Sequence, residues 1–544
     1  MKLYHIRTLE QLMPYQKTWE YILEENNNDN PFIEFQWVEN WWRYIGEKRK
    51  IELIVVEKNN QVIGFFPFHF THKWDTTIIE FIARGEANYM DFIVYDDLRE
   101  ETIRFVFDRL MEKMPKCIFN LHGLLSSSPT TNMLSLYLAK RKIKPTVFSV
   151  VSPYINMESI NLEEYMKKRR RLHGLDRREK RLRYLGEVKV VESIPNEIEQ
   201  VFSMHDRHWK SKLDTSNFTK EEHKNFYRAL VNISEEAPMQ ARVKSLYLDN
   251  EMIAFSYGLI CRGRHIGYVI GHDDDYGVYG PGTILDKEQI ANSPKKEIKK
   301  FDLSIGYEPY KFEWTTAVDY TNNFIFSSDS WQTKMLFLMM KGKGHIKETL
   351  KKNYKIVLFK REFIGRKYFF IKSAKFTDWV KAFGKLIGNI YSGKSVDIYK
   401  QSQGNEMLAE FEMLAYPNAK KRHHDLYRLN KRFYNGFIPY SDSKFSMFWI
   451  HSKLIRIDEV DYLQPLSKQG VFIGEWQFHN LTKICSFLRK EQNVKDIFLY
   501  TTKKDEIVNK HLHQLGFVHV NRIKKTRIFA KSTTHISTIM TIKE

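Results

Sequence analysis

Residues 265–314 read HIGYVIGHDDDYGVYGPGTILDKEQIANSPKKEIKKFDLSIGYEPYKFEW, and this stretch decides the fold. Its first eight residues are mostly apolar and rich in strand formers, which predicts a buried strand. The next ten residues are dense in glycine and proline and predict a loop. Thr283 then predicts the cap of a helix over 283–291, because its hydroxyl can accept from a free amide of the first turn. A second strand is predicted at 300–305.

The loop between this strand and this helix has the composition of an anion cradle. Gly280 and Gly282 permit close approach of a ligand to the backbone, and the start of a helix adds partial positive charge. We therefore predict that a phosphate-bearing donor binds at Tyr279, Gly280, Pro281, Gly282 and Thr283. The alternative is a purely structural turn, because many strand-to-helix loops contain Pro-Gly without any ligand.

Five segments carry a resemblance to a known family. They are a basic helix at 169–186 that ends RLRYLG, the segment MHDRHW at 204–209, YGPG at 279–282, the pair Phe301-Asp302, and EPYK at 308–311. In this order and spacing they resemble the GNAT acyltransferase superfamily. The resemblance is to the CelD/BcsL-type cellulose-biosynthesis acetyltransferases and, more distantly, to the FemAB-type peptidoglycan aminoacyltransferases. It covers roughly the first three-fifths of the chain.

The resemblance implies direct acyl transfer with acyl-CoA, acetyl-CoA above all, as cosubstrate. It implies that Lys311 neutralises developing charge or holds a substrate phosphate, and that Tyr310 protonates the leaving thiolate. The residues themselves suggest His272 as the group that takes the proton from the nucleophile, with Asp273 or Asp274 as its substitute. The alternative for His272 is a strand-end residue that hydrogen-bonds the loop. Contacts to the acceptor are expected from Arg177, Arg181 and Trp209.

The length of 544 residues exceeds what one hydrophobic core usually organises, so about two to four domains are expected. In line with the resemblance, the predicted class is α/β, with tandem GNAT-like domains of mixed, mostly antiparallel sheets flanked by helices and a third GNAT-like domain at the C-terminus. The predicted boundaries are 1–155 for an N-terminal domain without a phosphate loop, 156–330 for the domain with the donor-binding loop, 331–391 for a basic connecting segment, and 392–544 for the C-terminal domain.

The first and last predicted domains both lack the glycine loop. In the first, residues 94–100 place carboxylates where a cradle would lie, and carboxylates repel phosphate. In the last, residues 470–480 predict a strand that enters a helix without a glycine pair, which weakens the expectation of acyl-CoA binding there. Three tryptophans near the N-terminus are predicted to be core, with a stacking wall for a sugar acceptor as the alternative, and they are Trp37, Trp41 and Trp42.

The net charge of +20 predicts attraction to anions. A helix over 162–186 has leucines at helical spacing on one face and arginines on the other. Residues 341–394 interleave lysine and arginine with aromatic side chains. The helix suits contact with a polyanionic acceptor, a nucleotide diphosphate or a membrane surface, and the second segment suits the acidic face of a membrane. The alternatives are an ordinary solvated helix face and ordinary strands at 354–359 and 367–371.

Signals for several other protein classes are missing from the sequence. Without a zinc spacing, an RNA-binding aromatic motif or a basic tail, nucleic acid is not expected as a partner, except transfer RNA in a Fem-like enzyme. No metal site or nucleophilic triad can be argued from spacing. Cys117, Cys261 and Cys485 lie far apart, which predicts buried thiols in a reducing compartment. No signal peptide or spanning segment is found, so a cytoplasmic chain, peripheral to the inner face of the membrane, is expected.

Three functions remain open on the sequence. The first is an N-acyltransferase that moves an acyl group, acetyl by preference, from acyl-CoA to an amine or hydroxyl of a cell-envelope or exopolysaccharide precursor. The second is a Fem-like transferase that uses aminoacyl-tRNA, and the third is a non-catalytic partner of a glycan-synthesis complex. Fem-like enzymes often insert a long antiparallel helical pair in the second domain, and the sequence pattern here lacks one, which favours the first function.

Overall fold

The structure is a computed structural model that describes residues 1–47, 49–168, 170–192, 197–210, 218, 220–294, 297–328, 330–352, 391–403, 410–442, 447–474, 476, 480–502, 506–528 and 531–538. Within these ranges the chain forms two compact units. The first comprises Met1–Arg177, Glu187–Asp273 and Gly280–Phe369, and the second comprises Arg178–Gly186, Asp274–Tyr279 and Phe370–Glu544.

Strands and helices alternate along the first unit. The strands are β1 Lys2–Ile6, β2 Leu53–Lys58, β3 Gln61–Phe66, β4 Phe68–Lys73, β5 Thr76–Phe81, β6 Ile93–Val94, β7 Cys117–Leu125, β8 Thr146–Asn156, β9 Val188–Glu192, β10 Met239–Leu248, β11 Glu251–Cys261, β12 Arg264–His272, β13 Lys300–Asp302 and β14 Ala317–Ser327. The helices are α1 Leu9–Leu12, α2 Gln16–Glu25, α3 Phe35–Trp41, α4 Arg99–Lys113, α5 Pro129–Lys140, α6 Leu162–Lys168, α7 Arg170–Arg183, α8 Ile198–Lys210, α9 Glu221–Val231, α10 Pro281–Ala291, α11 Pro309–Trp314 and α12 Trp331–Lys352. Helix α7 begins in the first unit and ends in the second.

Ten strands of this unit form one sheet in the order β4-β5-β7-β14-β8-β13-β12-β11-β10-β9. Neighbours are antiparallel except for two parallel pairs, β5/β7 and β12/β13. The two parallel pairs are placed symmetrically about the neighbouring strands β14 and β8, with three strands of the sheet beyond β14 and five beyond β8. In the chain, β8 comes before β9–β13, yet it pairs with β13. Strand β14 comes after β9–β13, yet it pairs with β7 from the first half of the unit. The two halves exchange a strand, and the predicted boundary after residue 155 lies at the end of β8 within this sheet.

A smaller sheet, β1-β2-β3-β6, completes the strands of the unit. Asn59 and Asn60 join β2 to β3 with positive φ angles of 53° and 62°, a turn conformation that asparagine tolerates. The apolar faces of both sheets and their helices share one core, and this core contains Trp37, Trp41 and Trp42. The prediction that this tryptophan cluster is core is therefore confirmed.

The second unit has its own sheet. Its strands are β15 Tyr391–Gln401, β16 Glu412–Met413, β17 Ile438–Ser441, β18 Met447–His451, β19 Leu454–Ile457, β20 Tyr462–Pro465, β21 Gly470–Gly474, β22 Asp496–Thr501, β23 Val518–Ile528 and β24 Lys531–Thr538. Its helices are α13 Tyr416–Arg422, α14 Leu426–Tyr434, α15 Leu481–Gln492 and α16 Glu506–Gln514. Eight strands pair in the order β16-β17-β18-β21-β22-β15-β23-β24, with β21/β22 parallel, while β19 and β20 form a separate hairpin.

The predicted α/β class, with mixed, mostly antiparallel sheets flanked by helices, is confirmed. The strand β21 followed by α15 confirms the predicted strand and helix near 470–480, while the strands predicted at 354–359 and 367–371 fall outside the described residues. Cys117, Cys261 and Cys485 are buried free thiols, as predicted. In the part of the chain that the structure describes, every helix is too short or too polar to cross a membrane.

Candidate functional site

Strands β12 and β13 separate at their carboxyl ends. Strand β12 pairs with β11 along its whole length, from Arg264 to His272. It pairs with β13 only through residues 264–266, opposite Lys300–Asp302. From Gly267 onward, one edge of β12 therefore carries backbone groups that no described strand takes up. An edge of this kind, at the carboxyl end of a parallel pair, can bind an extended ligand through backbone hydrogen bonds.

A buried ion pair fixes the point at which the two strands separate. Arg264 donates to Asp302 Oδ2 through Nε at 3.1 Å and Nη2 at 2.5 Å, and to Asp29 Oδ1 through Nη1 at 2.9 Å. The Tyr89 hydroxyl and the Ser304 amide donate to Asp302 Oδ1, at 2.9 and 2.7 Å. Because Arg264 and Asp302 are both buried, this network ties the start of β12 to the end of β13. The Phe-Asp pair noted in the sequence thus supplies a structural carboxylate.

Helix α10 begins at Pro281, two residues before the predicted start. Gly280 is its N-cap in the left-handed conformation, with φ 68° and ψ 50°, which glycine adopts without strain. Pro281 takes the first helical position, where its missing N–H costs nothing. The amides of Thr283 and Ile284 both donate to Gly280 O, at 3.0 and 3.1 Å. The prediction that Thr283 caps the helix is therefore wrong, because Thr283 is already inside the first turn.

Gly282 faces the end of β12. A Cβ atom at Gly282 would lie 3.9 Å from His272 Nδ1, with no further heavy atom within 4 Å outside its own helix and chain neighbours. His272 is the last residue of β12 and is partly buried. The start of α10 and the imidazole ring therefore border the same open space, beside the free edge of the strand.

Asp286 lies one helical turn after Gly282, on the same face of α10. It is partly buried, and burial raises the pKa of its carboxyl from 3.8 to about 7. A carboxyl that titrates near neutral pH can take or give a proton, which is the property required of an acid–base catalyst. Sequence analysis missed this residue. The available signal was an acidic side chain four residues after the loop glycine, directly after the apolar pair Ile284 and Leu285.

Tyr310, in α11, interacts electrostatically with Asp286. Burial raises the pKa of Tyr310 well above its ordinary value, and the negative charges of Asp286 and Glu308 raise it further. The phenol therefore stays protonated at neutral pH and is available as a proton donor. The first unit thus brings His272 close to Gly282, with Asp286 one helical turn further along α10, and Tyr310 lies within electrostatic reach of Asp286.

Lys311 is buried at the first turn of α11. Its Nζ donates to Ile305 O at 2.7 Å and lies 3.1 Å from Glu308 Oε2. These contacts tie the loop between β13 and α11 to the helix. Lys311 therefore has a structural role here, and its participation in charge stabilisation during catalysis stays a prediction.

Three of the predicted residues, Asp274, Tyr279 and Arg181, belong to the second unit. Asp274 and Tyr279 are the ends of a short 3₁₀ helix. Tyr279 is buried and donates its hydroxyl to Asn430 O at 3.0 Å. Arg181 donates to Tyr434 O and stacks on the Tyr434 ring, with 4.7 Å between the guanidinium carbon and the ring centroid. The side chains of Tyr279 and Arg181 are thus engaged with α14.

Two further predicted acceptor contacts are on the helices α7 and α8. Arg177 is exposed on α7. Trp209 is in α8, and its side chain is outside what the structure describes. Their predicted roles, like those of Pro281 and Gly280 in donor binding, stay predictions.

The second unit holds a cavity of about 410 Å³. Phe472 and Gly474 from the end of β21, and Tyr500 from the end of β22, form part of its wall. Four basic and three acidic side chains also line it, and some are ion-paired. Lys431 Nζ lies 3.3 Å from Asp458 Oδ2. The cavity is at the carboxyl ends of the parallel pair β21/β22. Within its own sheet, this position corresponds to that of the free edge in the sheet of the first unit.

Residues 167–312 match the family model of the acetyltransferase (GNAT) domain. No curated protein matches the chain. Among solved structures, a conserved protein of unknown function from Bacteroides thetaiotaomicron VPI-5482 is 13% identical, with 60% of this chain and 100% of that chain covered and a TM-score of 0.40. FemX is 11% identical, with 59% and 97% covered and a TM-score of 0.40. A tandem GNAT protein from the clavulanic acid biosynthesis pathway is 8% identical, with 60% and 99% covered and a TM-score of 0.37.

Proposed function

We propose that the first unit transfers an acyl group, acetyl by preference, from acyl-CoA to an amine or hydroxyl of a cell-envelope or exopolysaccharide precursor. The observation that carries the proposal is the separation of β12 from β13, with Gly282 and the start of α10 beside the free edge. The match of residues 167–312 to the acetyltransferase (GNAT) domain includes β12, α10 and β13 and supports the same activity.

The donor has two parts that this geometry suits. An extended thioester arm can hydrogen-bond to the free edge of β12 from Gly267 to Gly271. Its diphosphate can then lie at the N-terminus of α10, where the helix dipole and the amide of Gly282 favour negative charge. The space in front of Gly282 is open, because only His272 Nδ1 would come within 4 Å of a Cβ atom there.

The transfer itself requires two proton movements. The acceptor nitrogen or oxygen attacks the thioester carbonyl carbon, the C–S bond breaks, and the thiolate leaves with the electron pair. Backbone amides on the free edge of β12 stabilise the negative oxygen that develops. Asp286 or His272 takes the proton that the nucleophile loses. Tyr310 gives its own proton to the thiolate, and the phenolate takes a proton back from the protonated base, which restores both groups.

A direct assay tests this activity. The purified full chain is incubated with acetyl-CoA and a panel of amino sugars, nucleotide sugars and amino acids, free thiol is measured, and acylated products are identified by mass spectrometry. Asp286→Asn and His272→Gln are compared, because the variant that lacks the proton acceptor should lose turnover while it retains affinity for CoA.

Two results would overturn the proposal. The first is the absence of CoA binding by calorimetry together with no thiol release for any acceptor. The second is transfer from aminoacyl-tRNA without CoA, which would make the Fem-like function the better one.

A further inference from the structure

Helix α12, Trp331–Lys352, rests on the large sheet of the first unit through one apolar face. Thr333 and Leu336 on this face are buried, and Phe337 and Met340 are partly buried. Leu336, Phe337 and Met340 pack against Ile118, Phe148 and Ile325 from β7, β8 and β14. One face of the helix thus makes all of these contacts with the sheet. On a helix whose other side faces water, that opposite face is expected to be polar.

The opposite face is apolar as well. The exposed fractions are 70% for Trp331, 55% for Met335, 61% for Leu338, 41% for Met339 and 64% for Ile346. At about 100° per residue, these five positions fall within an arc of about 100°, centred opposite the buried face. A continuous apolar stripe of this length on a surface marks a contact with another body rather than scattered exposed side chains.

Lysines border the stripe. Lys334 and Lys341 lie along one edge and Lys343 along the other, and each of these positions is solvent-facing or partly so. The sequence of the helix contains six lysines and only one acidic residue, Glu348. An apolar stripe between rows of lysine has the charge and polarity of the boundary between lipid tails and anionic headgroups.

We propose that this face of α12 lies in the surface of an anionic lipid bilayer, with Trp331, Met335, Leu338, Met339 and Ile346 among the upper tail carbons. The helix axis then runs parallel to the membrane plane. The stems of the flanking lysines lie along the apolar boundary while their ammonium groups contact lipid phosphates. This inference is independent of the acyltransferase activity, because no residue of the stripe belongs to the candidate site.

Flotation of the full chain with vesicles tests the proposal. The protein should float with vesicles that contain phosphatidylglycerol, float much less with pure phosphatidylcholine, and lose part of its binding at high salt. Leu338→Asp should lower the partition coefficient at least about tenfold, because it places a charge in the centre of the stripe. The matched control is Leu136→Asp, since Leu136 is an equally large apolar residue exposed on α5, away from the stripe.

Three outcomes would overturn the lipid contact. The first is that the wild-type chain ignores phosphatidylglycerol vesicles at low salt. The second is that Leu338→Asp floats like the control. The third is that Leu338→Asp, without lipid, converts a dimer into a monomer by light scattering or lowers Tm well below that of the control, since the stripe would then be covered by a second copy or by the chain itself.

Discussion

The two units contain the same strand arrangement with different residues at the carboxyl ends of the parallel strands. In the first, antiparallel strands lead to the parallel pair β12/β13, which is followed in the sheet by β8 and β14. In the second, antiparallel strands lead to β21/β22, followed by β15 and β23. A helix connects each parallel pair, α10 in the first unit and α15 in the second.

The parallel pairs differ in how far they stay together. Strand β12 has nine residues but pairs with β13 through only three, so a free edge remains. Strand β21 has five residues and pairs with β22 through four of them. The helix starts differ too, because α10 has a left-handed Gly280 before Pro281 and Gly282, whereas α15 begins after Asn480.

This difference shows that the strand order and the features proposed to bind the donor are independent of each other. A shared strand order fixes where a ligand can bind, at the carboxyl ends of the parallel strands. The free strand edge and the glycines decide whether an extended diphosphate ligand fits there. We therefore expect CoA to bind at one site per chain, in the first unit, and the charged cavity of the second unit to leave CoA unbound.

The largest effect should come from Gly282→Asp. A carboxylate at the start of α10 repels a diphosphate and occupies its space, so CoA affinity should fall by on the order of 100-fold or more. Calorimetry with CoA measures the affinity and the stoichiometry. Gly282→Ala is the matched control, because the space around Gly282 admits a Cβ atom. Unchanged affinity in Gly282→Asp would remove the donor site from the first unit.

Lys311→Met should affect turnover and stability to different degrees. The loss of the bond to Ile305 O should lower the free energy of unfolding by about 1–3 kcal/mol. If Lys311 also neutralises charge in the transition state, turnover should fall about 100-fold beyond this. Urea unfolding and a steady-state assay measure the two effects. A destabilised variant with normal turnover would show that the role of Lys311 is structural only.

Asp286→Asn should change the pH dependence of stability. The pKa of Asp286 is raised to about 7 in the folded state, so between about pH 4 and pH 7 the folded chain binds a proton that the unfolded chain has released. Stability of the wild type should therefore fall across this window, by about 1–2 kcal/mol for a partly buried group. The variant should be more stable than the wild type at pH 8 and equal to it at pH 4.

Urea denaturation at both pH values measures this difference. Glu288→Gln is the control, because Glu288 is exposed on the same helix. If the stability of the wild type and that of Asp286→Asn depend on pH in the same way, Asp286 titrates in its ordinary range.

The smallest effect is expected from Lys431→Met in the second unit. Lys431 lines the charged cavity and is paired with Asp458 there. If CoA binds only in the first unit, its affinity should change by less than about twofold, within the usual range for a surface substitution. Calorimetry with CoA checks this. A large loss of affinity would instead assign CoA binding to this cavity and would contradict the expectation that only the first unit binds CoA.

Local sequence patterns predicted the parts of the site that depend on local interactions. The strand, the loop and the helix from His265 to Ala291 follow from apolar runs and from glycine and proline. The start of α10 was misplaced because a left-handed Gly280 with Pro281 after it competes with a threonine cap, and the backbone geometry decides between them.

Contacts between distant segments had no local signal. The raised pKa of Asp286 depends on burial that a helical pattern does not reveal. The same holds for the burial of Tyr279 against Asn430, which lies far away in the sequence. The exchange of β8 and β14 was also missed, because strand pairing over such separations leaves no periodicity in either strand.

That exchange has a consequence for how the chain folds. During synthesis, β8 is made long before its partner β13, and β7 is made long before its partner β14. Until residue 327 has been made, β7 and β8 both lack β14 as a neighbour, and their edges can pair with other chains. The first unit should thus fold late and as a whole, with the slow rate typical of distant strand pairing. A fragment of residues 156–330 lacks β8 and should aggregate on expression.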